Sequence, residues 1–223
     1  MMSWLGETWA ILSKEWRCEL RSRYALSTVL LFAITTLIAV SISVGPAGAT
    51  PEQRPLMPVL LWLILLFAAT AGLPRTFVHE EETHTADPLR LAARPSCLFC
   101  GKTLYNLTLL LVLEAVVTPL FLVLLQVEVA DLWSFAIALL VGGVGLAVGS
   151  TLIAAMVAQA RARGPLFAVL AFPILLPLLK LVIDASFVAV AGEAQSPALG
   201  LAVLYDSMVT VASLMLFPVV WNP

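Results

Sequence analysis

Charge is what this 223-residue chain has least of: 12% of it is Asp, Glu, Lys or Arg, against 61% hydrophobic residues. A water-soluble fold of this size could not hide so much apolar surface, which excludes an ordinary globular domain. Histidine is limited to two residues, His79 and His84, both in one short segment. There are three cysteines, an odd number, and Cys18, Cys97 and Cys100 fall in segments assigned below to the cytoplasm, where thiols stay reduced. No disulfide framework follows. Deep within the apolar runs the ionisable groups reduce to Glu114, Lys180 and Asp206. Catalysis needs two or more such groups within hydrogen-bond reach of one another, so the chain reads as non-catalytic.

What is present is length. Six stretches are long and apolar enough to cross a bilayer: Ala25–Val44, Leu56–Pro74, Thr103–Val127, Leu132–Ala158, Pro165–Ile183 and Leu201–Trp221. A hydrocarbon core of about 30 Å calls for roughly 20 apolar helical residues, because lipid offers no partner for unsatisfied backbone groups. The expected fold class is an all-α polytopic membrane protein with six transmembrane helices. The basic residues then set its orientation. Lys14, Arg17, Arg21 and Arg23 precede the first span; Arg75, Arg90, Arg94 and Lys102 lie between the second and third; Arg161 and Arg163 lie between the fourth and fifth. Of the 12 basic residues, the opposite gaps hold only Arg54, and Lys180 lies inside the fifth span near its outer end. That asymmetry places both termini in the cytoplasm. Ala47-Gly48-Ala49 could mark a signal cleavage site, but the apolar run before it is too long for a signal sequence, and a charged, Trp-rich segment precedes it.

Leu5, Trp9, Leu12, Trp16 and Leu20 recur at steps of three and four, with Glu7, Lys14, Arg17 and Arg21 on the other face. Residues 1–24 are therefore expected to form an amphipathic helix lying flat at the membrane surface, its indoles among the headgroups. The outer loops are short, no repeat is evident, and residues 1–223 are expected to form a single membrane domain with a cytoplasmic loop at 75–102. In the fourth span, Gly145 and Gly149 form a GxxxG pair that lets a neighbouring helix approach closely.

Three patterns imitate active sites. Ser96-Cys97-Leu98-Phe99-Cys100-Gly101-Lys102-Thr103 nearly spells a phosphate loop, yet it lacks the first glycine, a preceding strand and a metal-binding acid. Lys102 is better explained as the positive anchor at the cytoplasmic end of a span. His79 and His84 stand five apart, so on a helix they diverge by ~140° and cannot share a zinc ion as an i, i+4 pair does. Cys97 and Cys100 are read as packing residues, since a lone CxxC beside a membrane is weak evidence for metal or redox work.

The loop Phe77-Val78-His79-Glu80-Glu81-Glu82-Thr83-His84-Thr85-Ala86-Asp87-Pro88-Leu89-Arg90-Leu91, followed by Gly101-Lys102-Thr103, resembles the cytoplasmic loop of ABC-type export permeases. Arg161-Ala162-Arg163-Gly164-Pro165-Leu166, leading to Pro173 and Pro177 four residues apart, is similar to the heme exporter protein B family of cytochrome c maturation. The pattern departs at His84 and Ala86-Asp87, where a glycine and a leucine–acid pair are typical. The resemblance implies an ABC-type permease subunit without catalytic activity, driven by a partner ATP-binding subunit in two copies. It also implies a second permease copy, further maturation subunits and a heme chaperone, in the lipid bilayer and without nucleic acid. ATP would act through the partner. Heme would be cargo or would leave on the chaperone, and no cofactor is assigned to this chain; the lack of a histidine within a span weakens direct heme ligation.

Such a permease must receive force through a cytoplasmic element. Glu80, Glu81, Glu82 and Asp87 offer charge, Thr85 a hydroxyl, and Leu89 and Leu91 an apolar anchor, for docking on an ATPase. Within the membrane, Glu114 lies near mid-span, where a charge is costly and marks function. Pro173 and Pro177 each remove a backbone hydrogen bond and serve as a hinge or a static kink. Lys180 and Asp206, both toward the outer ends of their spans, either pair or reach the interface. The alternatives are an export permease for a lipid, drug or polysaccharide, and, from other classes, a membrane scaffold or an intramembrane enzyme.

Overall fold

The computed structural model describes residues 3–45, 48–50, 52–73, 76–77, 80, 85–158, 163–192 and 197–221. Among these the regular structure is helical: α1 Trp4–Ser22, α2 Tyr24–Val44, a 3₁₀ turn Arg54–Leu56, α3 Met57–Gly72, α4 Ala86–Ala92, α5 Pro95–Leu124, α6 Leu132–Ala158, α7 Arg163–Ala191 and α8 Ala198–Trp221. Six are long and apolar enough to cross a membrane, namely α2, α3 with its leading turn, α5, α6, α7 and α8. The expected polytopic all-α fold is what the chain adopts.

The helix ends follow local chemistry. Ser3 caps α1 by accepting from the Gly6 N–H. Arg23, in the left-handed region at φ 52°, makes the elbow into α2. Glu19 holds that elbow shut: its Oε1 accepts the Leu26 N–H at 2.8 Å, while its Oε2 accepts the Tyr105 hydroxyl at 3.1 Å. Asp131 caps α6 through the N–H groups of Trp133 and Ser134, and hydrogen bonds to Ser134 hold its carboxyl below the usual range.

Two boundaries differ most from expectation. Helix α5 begins at Pro95, not Thr103, so residues 95–102 are its first two turns rather than loop. Pro95 at the first helical position starts it, and the polar groups of those turns find protein partners. Helix α7 runs to Ala191, past the expected end at Ile183, because Asp184 pairs with Lys180 one turn earlier instead of opening a loop. Lys180 and Asp206 therefore do not form the ion pair considered above.

Helix α6 is central. It packs most extensively on α7 and then on α8, with further contacts to α5 and α3. Within its most apolar stretch 67% of residues are buried, against 22% for the peripheral α2 and α8. The reason lies in its glycines. A Cβ at Gly142 would overlap the Trp62 ring, one at Gly145 would overlap Asp206, and one at Gly149 would stand 2.7 Å from Leu175. The expected GxxxG pair thus seats α7 and α8 side chains directly on the α6 backbone. Across the bundle, Trp62 Nε1 donates to Ser186 at 2.9 Å and Asn106 Nδ2 to Thr151 at 2.9 Å.

Candidate functional site

Helix α1 folds back onto the start of α5. Its apolar stripe divides: Leu12 and Trp16 rest on the bundle, joined by Ile11, while Leu5, Trp9 and Leu20 stay exposed. Trp16 meets Tyr105 edge-on at 5.7 Å and donates to Thr108 at 3.0 Å. Gly101 makes this approach possible, since a Cβ there would stand 2.7 Å from Ile11. Cys97 lies beneath α1, its thiol directed at the Trp4 carbonyl 3.8 Å away. Cys97 and Cys100 are both free thiols, the first buried and the second half-buried.

The same end of the bundle holds a ring of four charges. Lys102 has 0% of its side chain exposed and reaches Glu15 at 2.8 Å and Glu80 at 2.9 Å. It also donates to the Thr76 carbonyl at 2.6 Å and faces the Phe77 ring at 4.8 Å. Lys14 closes the ring, 2.5 Å from Glu80 and 3.4 Å from Glu15. Burial alone would raise the pKa of Glu80; Lys102 and then Lys14 outweigh it and hold the carboxyl below its usual 4.5. Desolvation lowers that of Lys14, but Glu15 and Glu80 prevail and keep it above 10.5. Two expectations are corrected here. Lys102 is no interfacial anchor but the centre of a buried ion-pair cluster. Glu80, 3% exposed, faces inward and cannot belong to a solvent-facing docking run. Glu81, Glu82, His79 and His84 lie outside the described residues.

From this cluster the chain enters α4. The Thr85 N–H donates to the Glu80 carbonyl at 2.9 Å, which ties the start of α4 to the ring. Leu89 packs on an aromatic group in which Phe77, Phe99, Phe217 and Trp221 meet, with centroid separations of 5.1 to 5.7 Å between Phe217 and the rings of Phe99 and Phe77. Arg90 lies over Trp221 at 4.9 Å. Leu91 points away and is 91% exposed; Thr85 is exposed as well. Asp87 lies within α4, its side chain outside what is described. One short helix therefore presents an apolar residue outward and is rooted in α1, α5 and α8 through its other side.

The intramembrane candidates are not brought together. Glu114 of α5 is 6% exposed and rests against α6, where a Cβ at Gly143 would stand 2.8 Å from its Oε1. Asp206 of α8, 7% exposed, rests against Gly145. Gly143 and Gly145 are two residues apart, so the two acids meet α6 on nearly opposite sides. Pro173 and Pro177 lie inside a continuous α7 with their rings facing outward. Between them Ile174 offers its carbonyl to the Tyr205 hydroxyl at 2.7 Å, which ties the proline-interrupted stretch to α8. Lys102, Glu15 and Glu19 were missed as cluster residues because Lys102 lies 87 positions from Glu15 and 22 from Glu80, and Glu19 lies 86 from Tyr105, beyond any local signal.

These helices define a polytopic helical membrane protein with an ion-pair cluster at one end of the bundle and two buried acids, Glu114 and Asp206, inside it. The family described as CcmB protein matches residues 7–221, and the chain belongs to that family, in agreement with the resemblance carried by the acidic loop and the proline pair. It is similar to heme exporter protein B of Bradyrhizobium diazoefficiens, 28% identical over 184 residues that make up 82% of each chain. It is also similar to heme exporter protein B of Rhodobacter capsulatus, 32% identical over 175 residues, 76% of this chain and 78% of the relative.

Proposed function

We propose that this chain is the membrane subunit of an ABC-type transporter that serves heme handling in cytochrome c maturation. It binds and hydrolyses no ATP; a partner ATP-binding subunit, in two copies against two copies of this chain, does so. The motion is passed on to release heme-loaded chaperone or to move heme itself, with further maturation subunits in the same inner membrane and both termini on the cytoplasmic side. The relatives named heme exporter protein B support the heme assignment.

The observation that carries the coupling role is α4, with Leu91 91% exposed and Leu89 and Arg90 rooted in the bundle. An apolar side chain held outward on a braced helix is suited to a pocket on a partner. A push on it reaches α8 through Trp221, and α1 and α5 through the Lys102 ring. Thr85, Asp87 and the adjoining Glu81 and Glu82 supply its polar rim.

Leu91→Glu tests this in the full complex. Loss of a central apolar anchor costs ~2 kcal/mol or more, about a 30-fold loss of affinity. Membrane abundance should stay normal while ATPase co-purification and cytochrome c yield fall together. A Glu81→Lys, Glu82→Lys variant should act in the same direction; Glu80 is left intact because its loss would open the charge ring. Normal co-purification and yield in both variants would refute the docking role.

A further inference from the structure

The arginines at the end of α1 are left out of the charge ring. Among the described residues, Arg17, Arg21 and Arg23 are exposed and make no ion pair or side-chain hydrogen bond. The acids near them are already engaged: Glu15 holds Lys102 and Lys14, and Glu19 accepts from Leu26 and Tyr105. Beside the arginines runs an apolar stripe. Leu5, Trp9 and Leu20 fall within an arc of ~60° round α1, and each is more than half exposed. Arg17 and Arg21 lie ~60° and ~100° round from Leu20 in one direction. The buried Thr8 and Glu19 lie ~120° and ~100° round in the other. Arg23 forms the elbow from which α2, the first spanning helix, starts.

We infer that this face of α1 binds the anionic phospholipids of the leaflet from which α2 starts, with Arg17, Arg21 and Arg23 on the phosphates and Leu5, Trp9 and Leu20 among the acyl chains. The occupant has to offer anions directly beside hydrocarbon, and a leaflet containing acidic lipid does so along its whole surface. Depth selects the same occupant. Helix α5 has 30 residues and rises ~45 Å, ~15 Å more than a hydrocarbon core needs. The excess lies at its polar start, which carries Ser96 and Lys102. Helix α1 rests on that stretch, from Trp4 against Ser96 to Trp16 against Thr108, and is therefore held at the level of the headgroups. A soluble acidic protein could meet the arginines there, but to cover the apolar stripe it would first have to displace the leaflet. The chemistry at the arginines also suits phosphate. A guanidinium takes a phosphate through two parallel N–H groups, and Arg17 and Arg21, one turn apart, present two such forks side by side. The C-terminal end of α1 favours cations through the helix dipole, so the free charges stand where they are least costly. Lys14 and Glu15 belong to the same helix, so a leaflet that holds α1 also steadies the ring in which α4 is rooted. The inference rests on the membrane-spanning fold and on α1, and stands independently of the coupling role of Leu91.

The test titrates the full-length chain in detergent micelles with dioleoyl phosphatidylglycerol or dioleoyl phosphatidylcholine and counts bound lipid by native mass spectrometry. Phosphatidylglycerol should bind at least about tenfold more tightly, since each arginine near the phosphates contributes about a three- to fivefold gain. The preference should weaken as salt is added. Arg17→Gln, Arg21→Gln and Arg23→Gln are made singly, so that the remaining basic residues keep the orientation, and each should lower the preference about three- to fivefold. Arg54→Gln is the reference, exposed in the turn beyond the other end of α2, and should leave it unchanged. A second measurement needs no change to the arginines and no detergent: a photo-crosslinking residue at Trp9 or Leu20, in the native membrane, should give phospholipid adducts at both positions. Equal binding of the two lipids, a preference that no arginine replacement lowers or that Arg54→Gln lowers as much, or a protein adduct in place of phospholipid at either position would each overturn the proposal.

Discussion

Replacing Lys102 with methionine keeps its length and apolar stem and removes its charge. In the native protein Lys102 and Lys14 balance Glu15 and Glu80 within 3.4 Å. The variant leaves two carboxylates to one ammonium, with Glu80 3% exposed. Removing one member of a buried pair costs ~3–5 kcal/mol; because Lys14 still reaches Glu80, the lower part of that range is expected, ~3 kcal/mol. The loss of the bond to the Thr76 carbonyl acts in the same direction. Glu80→Gln leaves the opposite imbalance, one acid to two bases. The double variant restores neutrality with Lys14 and Glu15 still paired, so its cost should fall short of the sum of the two by ~1 kcal/mol or more. The measurement is the unfolding midpoint of detergent-solubilised protein, followed by Trp fluorescence, for the four members of the cycle. A Lys102→Met variant within ~0.5 kcal/mol of the native protein, the range of an ordinary surface change, would refute the buried-ring account. So would strict additivity.

The same ring fixes a pH response. Glu80 is held below 4.5, so its contribution is complete above that value and is lost as pH falls through its lower folded pKa; Lys14, raised above 10.5, contributes fully below that value and fails only as pH rises beyond it. The unfolding midpoint should therefore be insensitive to this ring between those limits and decline on the acid side, and Glu80→Gln should remove part of the acid decline. Gly142→Ala drives a methyl into Trp62, itself fixed by Ser186, and should cost ~1–3 kcal/mol by overpacking. Gly200→Ala, with nothing within 4 Å, should be neutral or raise the midpoint through helix propensity; equal effects at the two sites would be the contrary result. Reporter fusions at Pro223 and at Gly48 should report cytoplasm and periplasm respectively, and a periplasmic signal from Pro223 would overturn the assigned orientation.

What the sequence by itself determined was the count and type of the long elements. Twenty consecutive apolar residues leave the backbone no alternative to a helix in lipid, so Ala25–Val44 and Leu132–Ala158 come within a residue or so of α2 and α6. The glycines of the fourth span announced close packing for the same local reason. The acidic loop and the proline pair were enough to indicate the family. Boundaries that depend on side-chain partners were not legible: a run of residues 95–102 containing Ser96 and Lys102 reads as loop until Glu15 and Glu80 are known to satisfy it. Only the tertiary structure decided that Glu80 turns inward while Leu91 turns outward, that Lys180 takes Asp184 and leaves Asp206 alone, and that Glu114 and Asp206 meet α6 on different sides. An ion pair between residues 87 positions apart in the chain has no signature in spacing or periodicity, because what creates it is the return of α1 across the foot of α5.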